Sequence, residues 1–319
     1  MLNTPIAFII FNRPETTQKV FNEIKKIQPK QLFVIADGPR EKNEKEICDK
    51  TRDIINQINW DCDIHKNYSD INLGCRKRVS SGLNWFFKNT EQGIILEDDC
   101  LPSQSFFQFC EKLLNKYKDN NKIMQIAGTN TQEKNIGFKC SDSYYYSNIA
   151  QIWGWATWRR AWNNYDVNLT NWPKIKYSKE FRKIFTLYSV REYWKRLLQE
   201  VYENKNPKKN TWDAQWFFHV IKNQGISIVP KLNLITNIGF GEQGTHAKSN
   251  KDEKANLEKT DIIFPLKHPI KININKQADQ YTWKFVFKIN NTLKKKIKCF
   301  FRQFLPKPYF YIKFIYKKI

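Results

Sequence analysis

Gly93-Ile94-Ile95-Leu96-Glu97-Asp98-Asp99-Cys100 is the stretch on which the reading of this chain turns. Its first half, four apolar or small residues, has the character of a short buried strand. Three carboxylates follow with no spacer. Like charges packed this tightly need an offsetting positive charge. The commonest solution is a hard divalent cation, magnesium or manganese, held by one or two carboxylates together with substrate phosphates. In open α/β sheets, ligands sit beyond the carboxyl ends of the strands. An acidic cluster at a strand end is therefore in position for a metal–nucleotide complex. The competing reading, a solvated acidic turn, is common for isolated charge runs, so the neighbouring sequence has to decide.

Upstream, the apolar run Pro5 to Phe11 reads as a buried parallel strand, and Asn12-Arg13-Pro14 turns the chain. Glu15 to Ile27 places Val20, Phe21, Ile24 and Ile27 on one helix face. Gln31 to Ala36 is a second apolar run, ending in Asp37-Gly38. A helix over 44–58, a strand over 62–68, the break Asn72-Leu73-Gly74 and a helix over 76–88 lead to the acidic strand. Downstream, the pattern predicts helices over 103–117, 181–204 and 213–223, and strands over 123–127 and 226–230. A tyrosine-rich strand at 144–147 precedes Trp153-Gly154-Trp155-Ala156-Thr157-Trp158. Strands alternating with helices predict an α/β fold with a mostly parallel, doubly wound sheet and helices on both faces. Asn12-Arg13, Asp37-Gly38 and Glu97-Asp98-Asp99 should then share one sheet edge. Neither Gly-x-Gly-x-x-Gly nor a Walker loop occurs, which argues against dinucleotide and P-loop chemistry.

The 319 residues are enough for one large domain or two small ones, and 41% hydrophobic content argues for a folded chain. A net charge of +23 favours anionic partners. It is unevenly spread: Trp283 to Ile319 carries eleven Lys or Arg and no acid. The seven cysteines show neither a Cys-x-x-Cys pair nor zinc-like spacing, which suggests reduced thiols in a cytosolic protein. Met1-Leu2-Asn3-Thr4-Pro5 runs straight into the first strand, with no signal-peptide pattern.

Taken in order, these stretches resemble the GT-A-fold glycosyltransferases, in a layout similar to the N-acetylglucosaminyltransferase I group and to bacterial family-2-like enzymes of surface-polysaccharide synthesis. The resemblance rests on Asn12-Arg13-Pro14, Asp37, Asn72-Leu73-Gly74, Glu97-Asp98-Asp99 with Pro102 and Phe106-Phe107, Gly154-Trp155, Trp212-Asp213, and a Gly-rich loop ending in His246. It implies a GT-A-like catalytic domain over 1–265, with a nucleotide-sugar half at 1–128 and an acceptor half at 129–265. It also implies a nucleotide-sugar donor, a divalent cation, inversion at the transferred carbon, and a glycan or lipid-linked acceptor. By position, Asn12 and Arg13 would meet the nucleoside and phosphates, Asp37 the uracil, Glu97 and Asp98 the sugar and ribose. Asp99 and His246 would approach the metal. Asp213 would be the catalytic base. Relatives carry Trp-Asp-Asp-Trp where this chain has Trp212-Asp213-Ala214-Gln215-Trp216, so the second Asp is missing.

The residues support parts of this independently. A departing diphosphate needs positive charge as the glycosidic bond breaks. Inverting transfer needs a base for the acceptor hydroxyl. Asp213 between two tryptophans suits that task, and it equally suits the first turn of a helix. Arg76, with Lys77 and Arg78, is placed to meet phosphate at a helix start or to form a solvated helix face. Trp155 beside Gly154 offers a flat face to a sugar ring or belongs to the core. The segment 266–319 interleaves basic and aromatic residues, which fits an amphipathic helix on an anionic membrane surface and a peripheral location at the inner face of the cell membrane. A helix packed on the domain is the alternative, and a nucleic-acid partner is disfavoured. A sugar nucleotidyltransferase and a non-enzymatic basic binding protein are the competing functions. The former usually has a Gly-rich basic loop where this chain has Asn12-Arg13-Pro14.

Overall fold

Every residue of Ile6–Ile10 (β1) is buried, which is why an unbroken apolar run encodes it rather than an alternating one. In the computed structural model, which describes residues 1–204, 210–240 and 257–289, this strand lies inside the main sheet. The chain continues through Pro14–Ile27 (α1), Gln31–Ala36 (β2), Lys45–Asp53 (α2), Asp63–Tyr68 (β3), Gly74–Asn89 (α3) and Gln92–Glu97 (β4). Cys100–Pro102 (β5), Gln104–Lys116 (α4), Ile123–Ala127 (β6), Tyr144–Ser147 (β7) and Trp155–Trp158 (β8) follow. Then come Arg159–Trp162 (α5), Trp172–Ile175 (α6), Lys179–Ile184 (α7), Tyr188–Glu203 (α8), Asp213–Lys222 (α9), Ile226–Pro230 (β9), Ile235–Asn237 (β10) and Lys276–Tyr281 (α10).

Among the described residues, eight strands form one sheet in the order β3-β2-β1-β4-β8-β6-β9-β7. β1 pairs in parallel with both β2 and β4, and β2 with β3. β8 runs antiparallel between β4 and β6, and β7 is antiparallel on β9. The sheet is thus mostly parallel, as the alternation of strands and helices predicts. Side-chain alternation along β1 assigns the two faces. Ile6, Phe8 and Ile10 point to the face covered by α1 and α4, where Val20, Phe21, Ile24, Phe106, Phe107 and Leu113 pack. Ala7 and Ile9 point to the other, covered by α3, α8 and α9.

The predicted helix over 181–204 is two helices. Between them Phe185 is buried and stacks on Trp194, with ring centroids 6.1 Å apart. Burial of that ring outweighs continuation of the helical pattern. Trp155–Trp158, noted in the sequence only as an aromatic cluster, is a strand with all four residues buried.

The expected boundary at 265/266 falls inside a segment that wraps the sheet. Ile262 and Leu266 join the core under α4. Lys267 and Ser143 exchange hydrogen bonds of 2.8 Å, and Asn275 N–H donates to Tyr146 O at 2.8 Å beside β7. Trp283 then packs against Trp194 and Phe217 on the opposite face. Residues 266–289 are therefore part of the domain they were expected to leave. The rest of the expected basic tail, 290–319, lies outside the described residues.

Asp279 anchors this wrap. Its carboxylate accepts from Ser147 Oγ at 2.5 Å and from Asn148 N–H at 3.1 Å. Burial pushes its pKa up to about 6, with the two hydrogen bonds pulling the other way. The folded chain therefore binds this proton more tightly than the unfolded chain does. Stability should fall as pH rises from about 4 to about 6, by an amount on the order of 3 kcal/mol from this group. Thermal unfolding of Asp279→Asn across that range should show a flatter slope than the parent chain; an unchanged slope would exclude this origin.

Candidate functional site

Because β1, β2 and β4 are parallel, their C-terminal ends open on one edge, and the residues that follow each strand meet there. Arg13, the residue before α1, reaches across to the acidic cluster. Its Nη2 donates to Asp98 Oδ1 and its Nη1 to Asp99 Oδ2, the latter at 3.1 Å. The side chains of Arg13 and Asp99 are 19% and 18% exposed and that of Asp98 only 4%, so the guanidinium is held in a partly desolvated cleft. Burial opposes the Arg13 charge, and the two carboxylates more than offset it, raising its pKa. Burial pushes Asp98 up to about 6 against the pull of Arg13, which leaves the pair ionised near neutrality. Asp98 Oδ2 is buried with no hydrogen-bond partner.

Glu97, the last residue of β4, is held well above the ordinary carboxylate range. Burial is the main cause, then Asp99 and Asp98; Arg13 opposes and Asp213 adds. The Cys75 thiol at the start of α3 is raised by burial first, then by Glu97, Asp213, Asp99 and Asp37. One thiol thus senses carboxylates from β2, β4 and α9 together, although these lie far apart in sequence.

Asp213 opens α9. Its Oδ1 accepts the Ala214 N–H at 2.7 Å and the Thr211 hydroxyl. The flanking Trp212 and Trp216 are buried and lie against Trp155, with centroids 5.7 and 5.3 Å away. They fix the start of the helix in the core, which leaves Asp213 at its half-buried end.

A second small sheet closes the cleft from the other side. β10 pairs antiparallel with β5, placing Asn237 opposite Cys100. The next residue, Ile238, donates its N–H to Asp99 O at 2.8 Å. Gly239 then passes so close that a Cβ there would stand 2.3 Å from Asp99 Oδ2. Only glycine permits this approach. Phe240 follows, edge-on to Trp153 at 5.6 Å.

Several expected site residues are used differently. Trp155 is fully buried in the tryptophan stack, so a half-buried aromatic at the cleft is Trp153, not Trp155. Arg76 is buried and donates to Val201 O, Asn204 Oδ1 and Val167 O at 3.2, 3.1 and 2.7 Å, tying down the C-terminal end of α8 rather than facing a ligand. Asn12 donates to Glu44 Oε1 at 2.7 Å, and Glu44 is also gripped by Arg40. The Asp37 carboxylate is occupied by the N–H groups of Gly38, Leu73 and Gly74 at 3.0, 2.8 and 2.9 Å, and by Asn72 Nδ2 at 3.2 Å. It holds the loop that begins α3. His246 lies outside the described residues. The pairing of Arg13 with the acids and the seat of Gly239 on Asp99 were not legible. Both are contacts across more than eighty residues, with no local pattern to announce them.

No family model matches the chain, and no curated protein matches it in sequence. Solved structures similar to it include an active-site mutant of LgtC, at 9% identity and a TM-score of 0.38, covering 91% of this chain and 98% of that one. Apo UDP-glucose pyrophosphorylase is similar at 11% identity and 0.38, covering 76% and 96%. Mouse xyloside xylosyltransferase 1 in its apo form is similar at 9% and 0.32, covering 69% and 81%. At such identities and scores no site or activity is carried over from them.

With four donors converging on a buried carboxylate, Asp37→Ala should destabilise the chain by about 2–4 kcal/mol. Denaturant unfolding checks this; a midpoint shift of under a few tenths molar would show that Asp37 does not hold the loop.

Proposed function

We propose that the chain is a metal-dependent glycosyltransferase that moves a sugar from a nucleotide-sugar donor, uridine-linked, to a surface-glycan or lipid-linked acceptor with inversion. The observation that carries this reading is the meeting of Glu97, Asp98 and Asp99 with Arg13 at one end of a mostly parallel sheet, with Asp213 within electrostatic reach. Such a cleft offers positive charge for phosphate and a carboxylate for a hydroxyl proton.

Among the described residues, no group of three or more His, Cys, Asp or Glu is arranged to hold a metal. The donor chemistry nonetheless fits a hard cation. The available ligands are carboxylate oxygens, one guanidinium pairs with two of the three consecutive acids, and Asp98 Oδ2 is buried without a partner. A magnesium or manganese ion would be held by Asp99, with His246 as a further ligand and phosphate and water supplying the rest. When bound, it would offset the charge of the leaving diphosphate. Arg13 would bind the phosphates through its planar fork. Glu97 and Asp98 would hold hydroxyls of the donor. Asp213 Oδ2 would take the proton of the acceptor hydroxyl as that oxygen bonds to the anomeric carbon, and the electron pair of the broken bond would leave on the diphosphate. The half-buried Trp153 with Phe240 would give the sugar an apolar wall. A nucleotidyltransferase is less well supported, because Pro14 starts α1 directly after Arg13, where a glycine-rich phosphate loop would be needed.

For the tail, we favour peripheral attachment at the inner face of the cell membrane, since 290–319 continues the run of lysines and aromatics without an acid. Among the described residues, no helix is long and apolar enough to cross a membrane. The full chain should sediment with vesicles containing phosphatidylserine, and a chain ending at 289 should not; equal sedimentation of both would refute the tail's role.

The decisive experiment is calorimetric titration with UDP, GDP, CDP and ADP, in Mn²⁺ and then in EDTA. UDP should bind about tenfold more tightly in Mn²⁺ than in EDTA, and Asp99→Ala should abolish that gain. Asp213→Asn should retain UDP affinity while turnover drops about 10²–10⁴-fold. Absence of nucleotide binding under every condition would sink the reading.

A further inference from the structure

We propose that Arg13 is a gate on the acidic cluster: its guanidinium occupies Asp98 and Asp99, so that Asp99 accepts a divalent cation readily only after a nucleoside diphosphate has drawn Arg13 away. This inference rests on the donor-site reading above and adds the order in which the site fills.

The two-pronged contact is its basis. Nη2 holds Asp98 Oδ1 while Nη1 holds Asp99 Oδ2 at 3.1 Å, so one planar group spans both acids. Backbone also crowds the carboxylate oxygen that Arg13 holds. Gly239 sits against Oδ2, and Asp99 O is bound by the Ile238 N–H. Asp99 Oδ1 has only the weakly donating Cys100 thiol, at 3.5 Å. A dication bound at Asp99 would therefore stand beside a guanidinium in a partly desolvated cleft, where like charges are screened poorly. The guanidinium must give way for the cation to bind well. It cannot give way by losing its proton.

A diphosphate supplies what is needed to move it. Arginine's fork matches phosphate as well as it matches carboxylate. Arg13 also stands at the N-terminal end of the 14-residue α1, where the helix dipole favours an anion. An anion arriving there would compete for Arg13 with the carboxylates and release Asp99 as it bound. Cation and diphosphate would then bind with positive coupling through one side chain, each raising the other's affinity by the same factor.

The test is Mn²⁺ binding, followed by the electron paramagnetic resonance of free Mn²⁺, for the intact chain and Arg13→Gln, each without nucleotide and with saturating UDP. The intact chain should bind Mn²⁺ about tenfold more tightly with UDP than without it. Arg13→Gln should bind Mn²⁺ alone about tenfold more tightly than the intact chain, and UDP should add little. If Arg13→Gln gains no affinity for Mn²⁺ alone while the intact chain still couples Mn²⁺ to UDP, the gate is overturned and the donor site stands. If neither chain binds Mn²⁺ with or without UDP, gate and metal site fall together. Circular dichroism melting guards against an unfolded variant. Should Arg13→Gln not fold, Arg13→Lys decides. Losing the fork while keeping the charge should loosen the grip on Asp99 and raise Mn²⁺ affinity about threefold; no rise would overturn the gate.

Discussion

One guanidinium against two carboxylates, half out of water, is the constraint on which this site depends. Three consecutive acids at the end of β4 cannot share a desolvated cleft without a positive charge close by. Arg13 supplies it from the end of β1, the parallel neighbour of β4. Removing one member of such a pair leaves the other charge buried and uncompensated, which is far costlier than the pair itself. The two strand ends are thereby tied together at the place where an open α/β sheet takes its ligand.

The rest of the structure positions partners for that cleft. Trp155, Trp212 and Trp216 form a buried stack that fixes the start of α9, which leaves Asp213 half-buried at that helix end because the flanking tryptophans are committed to the core. β5 and β10 pair immediately after the acids, which forces 238–240 across Asp99 and makes glycine obligatory at 239. On the far side, the segment to Ile289 wraps the edge of the sheet and pins β7 through Asp279.

Much of the scaffold could be read from pattern. β2, β6 and β9 begin and end where the apolar runs do, because burial on both faces favours apolar residues throughout, with Gln125 and Ser227 as buried exceptions. The acidic cluster was legible for the complementary reason: charges directly after a buried run must lie at its mouth. The errors share a cause too. Trp155 and Arg76 carry groups equally suited to ligands and to interiors, and composition cannot distinguish a sugar face from a core face, or a phosphate from the carbonyl oxygens of Val201 and Val167. Asp37 looked available, yet the N–H of Gly38 and three donors from the 72–74 loop consume its carboxylate.

The sequence by itself determined the alternation of elements, the parallel sheet and the edge on which the polar strand ends gather, since these follow from local periodicity and burial. Tertiary structure alone decided that Arg13 faces Asp98 and Asp99 and that Gly239 seats on Asp99. The reason is physical. Each of these is a contact between groups separated by scores of residues, made possible by strand order and by the insertion of β8 between β4 and β6. A one-dimensional pattern records which residues must be buried, but not which distant charge will compensate which.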